Sequence, residues 1–278
     1  MVTQTATPSA QVNWPIRLFK KSLLKREKYQ EVTGMLGDFT DLHCLDIGAD
    51  NGVISYLLRQ EGGTWKSADL DAHTVEAIRS LVGTDVYQID DTHPTPFADN
   101  EFDAIVIIDF LEHIHNDEAF VQEMKRIIKP GGAIIANVPH ARKSLLKQFQ
   151  HLIGQTDEKH GHVRPGYTAE SLQKLFGDDF SIQKSHTYSR FFAQFIDTMI
   201  VFGVGLLKRG KDDPSQKGNV VTGQDMNNYA KMFKLYSLIY PIVWFFSKLD
   251  LLIPFTSGFM LIARATANKS TDHDNVDE

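Results

Sequence analysis

Short apolar runs alternate with amphipathic stretches along residues 42–139. A continuously apolar run such as Ala104–Ile108 is typical of a strand buried on both faces. Stretches with helical apolar spacing separate most of these runs, which predicts parallel βαβ units. The predicted strands are His43–Ile47, Trp65–Ala68, Val86–Ile89, Ala104–Ile108 and Ala133–Val138. The pattern therefore predicts an α/β fold with a doubly wound, mostly parallel sheet.

The N-terminal segment from Trp14 to about Leu36 combines helical apolar spacing with many cations. Its basic residues are Arg17, Lys20, Lys21, Lys25, Arg26 and Lys28. A helix of this kind caps the core with its charges in solvent, lids a pocket, or lies on an anionic membrane surface. The spacing alone leaves all three interpretations open.

The C-terminal third contains two long apolar stretches, Phe191–Leu207 and Leu235–Phe255. Neither offers the ~18–20 unbroken apolar residues that cross a bilayer, because Asp197 interrupts the first and Lys248 and Asp250 interrupt the second. We expect helices that pack on each other over the sheet, or that present an apolar surface to an acceptor or a membrane.

Composition narrows the class of protein. The chain has 278 residues, of which 42% are apolar, and its net charge of −6 argues against nucleic acid as the main partner. The single cysteine, Cys44, excludes an internal disulfide, and the Cys/His spacing predicts no metal site. Because the first twelve residues lack the apolar core of a signal peptide, we expect a cytoplasmic protein, with attachment to a membrane surface as an alternative.

Carboxylates and glycines cluster where the predicted strands end. These residues are Asp46, Gly48, Asp69, Asp90, Asp91 and Asp109. Ligands of open parallel sheets bind above the carboxyl ends of the strands, and so many carboxylates suit a ligand with hydroxyls, an amine and positive charge. Asp69 is placed to accept both hydroxyls of a ribose. An equally open alternative is that Asp69 caps the helix predicted at Ala72–Leu81.

Four motifs follow one another between Leu42 and Pro139. They are Leu45-Asp46-Ile47-Gly48-Ala49-Asp50-Asn51-Gly52, Asp91–Phe97 followed by Phe102-Asp103, Leu111-Glu112-His113, and Lys129-Pro130-Gly131-Gly132. Together they resemble class I S-adenosylmethionine-dependent methyltransferases, and most closely the small-molecule branch (methyltransferase type 11 domain) that includes ubiquinone-type methyltransferases. The resemblance implies a Rossmann-like sheet whose last strand, here 258–264, is antiparallel. A nicotinamide cofactor fits less well, because the first turn lacks Gly-x-Gly-x-x-Gly.

The resemblance also implies a cofactor, S-adenosyl-L-methionine, and a set of residues around it. Asp46 and Gly48 would approach its amino-acid end, Asp69 its ribose and Asp91 its adenine amine, with Asp90 as the alternative to Asp91. The full expected set is Asp46, Gly48, Asp50, Gly52, Asp69, Leu70, Asp90, Asp91 and Ile108. Asp50 departs from the family pattern, which usually has glycine there. It would cap the following helix, reach the cofactor's ammonium, or obstruct the pocket.

A general base is needed only if the acceptor must lose a proton. The candidates are Asp109, His113 and His162. Asp109 has a competing interpretation as the start of a capping box, Asp109-Phe110-Leu111-Glu112, and His113 has a structural one. A His- and Arg-containing loop after the fifth strand would hold the acceptor through His160, Arg164 and Tyr167, unless it is simply solvated.

These expectations add up to a methyltransferase acting on a small or lipid-like acceptor. The alternatives are a methyltransferase of a glycan or glycolipid precursor, and a non-catalytic, membrane-associated protein that binds the cofactor. The predicted organisation is a basic helix (1–36), a cofactor-binding core (37–190), a hydrophobic helical insertion (191–256), a final core strand (257–266) and a disordered acidic tail (267–278). The oligomeric state stays open.

Overall fold

The computed structural model describes residues 14–90, 92–142, 144–154, 156, 161–196, 198–199, 237–238, 240–241, 244–252 and 257–269. Within them, seven strands form one sheet in the order β3-β2-β1-β4-β5-β7-β6. The strands are β1 (His43–Ile47), β2 (Thr64–Asp69), β3 (Val86–Gln88), β4 (Phe102–Ile108), β5 (Ile128–Pro139), β6 (Phe180–Tyr188) and β7 (Met260–Ala267). Strands β1 to β5 pair in parallel, while β7 runs antiparallel between β5 and β6. The predicted fold class is confirmed.

Seven helices, besides the helical residues 191–196 and 244–248, accompany this sheet in the described part of the chain. They are α1 (Trp14–Phe19), α2 (Leu23–Leu36), α3 (Val53–Glu61), α4 (Ala72–Val82), α5 (Asp117–Ile127), α6 (Leu145–Leu152) and α7 (Ala169–Phe176), with 3₁₀ turns at Leu111–His113 and Leu249–Leu252. Apolar side chains of α2 and α3 pack on one face of the sheet, and those of α5 and α7 pack on the other. The sheet is therefore covered on both faces, which explains the continuously apolar run of β4.

Several boundaries differ from the sequence prediction. The N-terminal helix is two helices, because Ser22 accepts a hydrogen bond from the Lys25 amide and starts α2 anew. The segment 129–132 does end α5, but it belongs to β5, which begins at Ile128 and not at Ala133. Strand β3 ends one residue early, at Gln88, and the last strand runs to Ala267.

Polar contacts attach helix α2 to strands β6 and β7. The guanidinium of Arg264 on β7 donates to the carbonyls of Met35 and Leu36, at 2.6 and 2.8 Å. Glu31 lies 2.7 Å from the imidazole of His186 on β6. These contacts hold α2 across the sheet near the carboxyl ends of the parallel strands, and the lid interpretation of the basic N-terminal segment fits this position.

Much of the apolar C-terminal third, including Asp197 and residues 201–236, lies outside the described residues. Residues 191–196 and 244–248 are helical. No helix in the described ranges is both long enough and apolar enough to cross a membrane. The predicted division into core, insertion and tail stays a prediction.

Candidate functional site

A cavity of about 410 Å³ lies above the carboxyl ends of β1, β2 and β4 and is closed on one side by α2. This volume is within the roughly 300–1,000 Å³ that small-molecule and cofactor sites occupy. Its lining includes Lys25, Lys28, Gly48, Asp50, Asp69, Leu70, Ile108, Asp109 and His113. Five of the nine residues expected from the sequence to bind the cofactor therefore line one cavity, together with two of the three candidate catalytic residues.

Gly48 forms the floor of this cavity at the turn after β1. Its φ is +81°, and a Cβ there would stand 2.3 Å from the carbonyl oxygen of Ile108 and 2.9 Å from the Cβ of Phe110. No side chain fits such a gap, so glycine allows the first turn and the end of β4 to meet. The close approach of β1 to β4 at the cavity floor depends on this residue.

Gly52 serves helix packing and does not line the cavity. Its φ is +76°, and a Cβ would lie 2.7 Å from the Cα of Ile78 on α4. The glycine therefore allows the start of α3 to approach α4 closely. We revise its expected cofactor-binding role to a structural one.

Asp46 is also structural in this geometry. Its carboxylate is fully buried and accepts hydrogen bonds from the hydroxyls of Ser55 and Ser67, at 2.6 and 2.8 Å, with the guanidinium of Arg59 at 3.4 Å. Burial raises the pKa of Asp46, and Arg59 and the two hydroxyls oppose that rise. Asp46 joins β1 to α3 and β2 and is absent from the cavity lining, contrary to the expectation that it approaches the cofactor.

Asp69 ends β2 and lines the cavity, as predicted for a residue that holds a ribose. Its Oδ1 accepts from the backbone amide of Asp71 at 3.0 Å. The capping alternative is wrong, because the N-cap of α4 is Asp71, whose carboxylate accepts from the amide of Thr74 at 2.8 Å. Asp69 thus lines the cavity, while Asp71 stabilises the start of the helix.

Asp50 lies at the edge of the cavity with its side chain about half exposed. Its φ is +53°, in the region that glycine favours, which explains the glycine of the family pattern. It forms an ion pair with Lys25 at 2.9 Å. It does not cap α3: Gly52 is the N-cap, and the amide of Val53, the first residue of the helix, donates to the side chain of Asn51 at 3.4 Å. The helix-cap interpretation is therefore wrong.

The turn after β3 contains Asp90 and Asp91, the two residues expected near the adenine amine of the cofactor. Asp90 accepts hydrogen bonds from the amides of Thr92 and His93, at 2.8 and 2.7 Å, and from the Thr92 hydroxyl. The Thr92 hydroxyl and then the His93 ring lower the pKa of Asp90. Its carboxylate closes its own turn and is not among the cavity-lining groups, so it does not serve as the adenine partner in this geometry. Asp91, the first choice for that role, lies outside the described residues.

Asp109 follows β4 at the centre of the cavity wall. Its φ is +46°, and its carboxylate accepts from the side-chain amide of Asn137 at 2.9 Å and pairs with Lys28. Tyr188 in turn donates to the carbonyl oxygen of the Asn137 side chain. The capping-box interpretation is wrong, because the 3₁₀ turn that follows has Phe110 at its N-cap position and no side-chain cap.

The two histidines expected near the site do meet. His113 lines the cavity, and its Nδ1 lies 2.8 Å from the carbonyl oxygen of Gly161. The ring of His162 packs edge-on against His113, with 4.9 Å between the centroids. His160 lies outside the described residues.

Arg164 and Tyr167 are engaged inside the protein. Arg164 pairs with Asp117 and donates to the carbonyls of Ile114 and His115, at 2.6 and 3.1 Å. The buried Tyr167 hydroxyl donates to Asp117 at 2.7 Å. This network fastens the loop to the segment after the 3₁₀ turn, so we revise the two residues from substrate binding to a structural role.

The sequence prediction missed Lys25 and Lys28 as site residues. Both project from α2 into the cavity and pair with its carboxylates, Lys25 with Asp50 and Lys28 with Asp109. Their spacing of three residues places both on one face of the helix. The three-residue spacing is the sequence signal that the two lysines share one side of the helix. The sequence prediction treats them only as two members of a basic N-terminal segment.

A second cavity, of about 620 Å³, lies on the other side of α2. Its lining includes Arg26, Glu27, Tyr188, Arg190, Trp244 and Asp250. Tyr188 links the two cavities, because it reaches Asp109 through Asn137. Burial raises the pKa of Glu27, against a hydrogen bond from the Ser189 backbone. This second cavity is mixed in charge and partly aromatic.

Comparisons with known proteins agree with this geometry. Residues 45–136 match the family model of the methyltransferase domain. The chain is similar to methyltransferase GfsG of Streptomyces halstedii, with 29% identity over 97 residues that cover 32% of this chain and 35% of the relative. It is similar to the ubiquinone biosynthesis O-methyltransferase of Rickettsia felis, with 24% identity over 119 residues that cover 41% of this chain and 49% of the relative.

The chain therefore spans between about a third and a half of the length of these relatives. Among solved structures it is similar to the [4+2]-cyclase SpnF, with a TM-score of 0.57, 16% identity, and coverage of 88% of this chain and 82% of the other. At that identity the likeness concerns the fold alone.

Proposed function

From the class I S-adenosylmethionine-dependent methyltransferase domain that this chain carries, we propose that the protein transfers a methyl group to a small or lipid-like acceptor. The observation that carries this proposal is the cavity above β1, β2 and β4, where Asp69 and Asp109 face two lysines of α2. A ligand with a ribose, a carboxylate and positive charge matches that arrangement of groups.

Three parts of the cofactor would have partners in the cavity: the ribose, the sulfonium and the carboxylate of the amino-acid end. Asp69, at the end of β2, would accept hydrogen bonds from the two ribose hydroxyls. Asp109 and Ile108, at the end of β4, would lie beside the sulfonium, which a carboxylate stabilises. Lys25 and Lys28 would exchange their present carboxylate partners for the carboxylate of the cofactor's amino-acid end.

The chain's own contribution to the reaction is alignment and exclusion of water. The bound cofactor supplies a methyl group already activated by the sulfonium. Gly48 and Ile108 form the floor of the cavity that would hold this group, and α2 would cover it. Holding the acceptor in line with the methyl group would supply most of the acceleration.

We place the acceptor in the second cavity, on the β6 side of α2. Tyr188 and Asn137 join this cavity to Asp109, so an acceptor there would approach the cofactor along the same edge of the sheet. Trp244 and Tyr240 give part of its wall an aromatic surface. The glycan alternative relied on Arg164, which is held by Asp117, so no observation favours it.

We also propose that the protein contacts a membrane surface. The side chains of Trp244, Phe245 and Phe246 are 47%, 59% and 41% exposed, and Lys248 follows on the same segment. Exposed aromatic residues beside cations are typical of segments that lie in the interface of an anionic bilayer.

We expect the full chain to co-sediment with vesicles containing anionic lipid at low salt. Replacement of Trp244, Phe245 and Phe246 by serine should lower the bound fraction several-fold, since it removes the apolar contacts. The control is Leu145→Ser, an exposed position on α6. Absence of wild-type co-sedimentation would refute membrane contact without affecting the proposed chemistry.

The two lysines allow a prediction about the cofactor. The double replacement Lys25→Met and Lys28→Met should weaken S-adenosylhomocysteine binding about 3–10-fold, because the ligand's carboxylate loses its counter-charges. Isothermal titration calorimetry measures the change, and Lys20→Met, an exposed lysine outside the cavity, is the matched control. An unchanged affinity in the double variant would contradict our placement of the amino-acid end.

The proposed function is tested by two measurements. Calorimetry should show S-adenosylhomocysteine binding to the wild-type chain at micromolar strength. Mass spectrometry of a cell extract incubated with the protein and isotope-labelled S-adenosylmethionine should reveal a species shifted by the labelled methyl group. No binding in the first measurement would refute the proposal, while binding with no methylated species in any extract would favour the non-catalytic alternative.

A further inference from the structure

Three side chains with metal-ligand chemistry converge beside the cavity: Glu112, His113 and His162. Their candidate ligand atoms all lie within 4.8 Å of one another. Glu112 is 1% exposed, and the two histidines are partly buried, so the cluster is not a solvated surface group. A buried carboxylate next to two imidazoles is an arrangement that a cation stabilises.

Hydrogen bonds hold the loop that carries His162 against the residues of the 3₁₀ turn and the residues that follow it. The amide of Val163 donates to the carbonyl of Glu112 at 2.9 Å, and Arg164 donates to the carbonyl of Ile114 at 2.6 Å. These bonds set His162 against the 3₁₀ turn that carries Glu112 and His113. The three side chains thus come from two segments held in register by their backbones.

The hydrogen bond of His113 also fits a metal ligand. Its Nδ1 lies 2.8 Å from the carbonyl of Gly161, so the ring donates there from Nδ1 and presents Nε2 as its acceptor. Metal-bound histidines usually donate their other ring nitrogen to a carbonyl or carboxylate in this way, which fixes the tautomer and the ring's orientation.

We propose that Glu112, His113 and His162 form a binding site for a divalent transition-metal ion of the zinc type. Two imidazoles and one carboxylate are a ligand set that suits Zn²⁺ and leaves one coordination position open. Mg²⁺ prefers oxygen ligands and is a poor match for two imidazoles. Ligand atoms on one such ion lie about 3–4 Å apart, so small side-chain rotations close the cluster. This metal site replaces the sequence prediction that the chain binds none.

Because His113 also lines the cavity, the open position of the ion would face the reaction site. This role rests on the proposed methyltransferase function, and it requires an acceptor that extends from the second cavity past Asp109, so that its hydroxyl reaches the ion beside the first cavity. An acceptor hydroxyl bound to the ion loses its proton to water more readily, since the metal stabilises the oxygen anion. That oxygen then forms a bond to the methyl carbon as the sulfur–carbon bond breaks, and the sulfur leaves as a neutral thioether.

The test measures metal binding directly. The full chain, produced without a polyhistidine tag and stripped with a chelator, is titrated with Zn²⁺ against a chromophoric competitor, and with Co²⁺ followed by visible absorption. We expect one ion of either metal per chain, a Co²⁺ spectrum with the intense bands of a low-coordinate site, and no displacement by millimolar Mg²⁺. His162→Ala should weaken Zn²⁺ binding at least tenfold, and His73→Ala, an exposed histidine on α4, should not.

Glu112→Gln is a second variant with the same expected loss, and S-adenosylhomocysteine calorimetry on each variant reports whether it is folded. Failure of the wild-type chain to bind Zn²⁺ stoichiometrically would overturn the metal site, as would unchanged binding in a folded His162→Ala variant. Zn²⁺ binding by a chain that does not bind S-adenosylhomocysteine would leave the metal site standing and refute the proposed function instead.

Discussion

Replacement of Gly48 by alanine is expected to destabilise the protein by about 3 kcal/mol or more and to abolish measurable cofactor binding. The added Cβ would meet the carbonyl oxygen of Ile108 at 2.3 Å, and the backbone holds φ at +81°. Left-handed strain costs about 1–3 kcal/mol and overpacking a similar amount, so the two together account for the expected loss.

Chemical denaturation gives the free energy of unfolding, and calorimetry gives S-adenosylhomocysteine affinity. Gly34→Ala is the matched control, because Gly34 lies within α2 with nothing within 4 Å of an added Cβ. That change should leave stability equal or raise it by about 0.5–1 kcal/mol, since alanine is the better helix former. A Gly48→Ala variant as stable as the wild type would show that β1 and β4 approach each other less closely than described.

Replacement of Asp69 by alanine is expected to lower S-adenosylhomocysteine affinity about 10–100-fold and to lower the free energy of unfolding by about 1 kcal/mol, because the Asp71 amide loses its hydrogen bond to the carboxylate. The carboxylate lines the cavity at the end of β2 and would accept two hydroxyl hydrogen bonds from the ribose. A 10–100-fold loss corresponds to about 1.4–2.8 kcal/mol, close to the roughly 1.5–3 kcal/mol that one hydrogen bond to a charged group contributes, because water that enters the vacated space solvates the ribose hydroxyls in part.

Two further variants make this measurement specific. Asp69→Asn keeps one acceptor oxygen and should fall between wild type and alanine. Glu76→Ala removes an exposed carboxylate of α4 that pairs with the surface residue Arg79, and this variant should bind the ligand as wild type does. Equal affinities for Asp69→Ala and wild type would rule out the ribose assignment and, with it, the orientation we propose for the cofactor.

The similarity to SpnF concerns the relation between this fold and the reaction that a protein with this fold catalyses. A structure similar to this chain over most of its length is a [4+2]-cyclase. The sheet therefore does not by itself determine the reaction. In our proposal the carboxylates at the strand ends, the lysines of α2 and the bound acceptor determine it, so cofactor binding and product formation are two separate tests.

Local pattern was sufficient to predict the parallel half of the molecule. Apolar runs of strand length, separated by stretches with helical spacing, predict β1, β2 and β4 in this order along the chain, because buried parallel strands are hydrophobic on both faces. The glycine turn after β1 and the acidic residue after β2 were also predictable, since strand ends meet at one edge of the sheet. The motifs in order then indicated the cofactor.

Tertiary structure decided which of the predicted residues face the cavity. Asp46 and Asp69 both belong to or end a strand, but Asp46 turns inward to Ser55 and Ser67 while Asp69 lines the site. Side-chain direction depends on strand pairing and helix packing, and no local pattern encodes it. Arg164 is a second example. The sequence predicts that it binds a substrate, whereas in the folded chain it pairs with Asp117, which lies 47 positions away.

The contacts made by distant segments were beyond sequence reasoning altogether. Lys28 reaches Asp109 across 81 positions, and His162 meets His113 only because backbone hydrogen bonds hold their segments together. The sequence by itself determined the sheet, its glycine turn and the class of ligand, because burial and strand geometry act locally. The lysine-covered cavity and the three-residue metal site arise from long-range packing, which brings together charges that the chain keeps far apart.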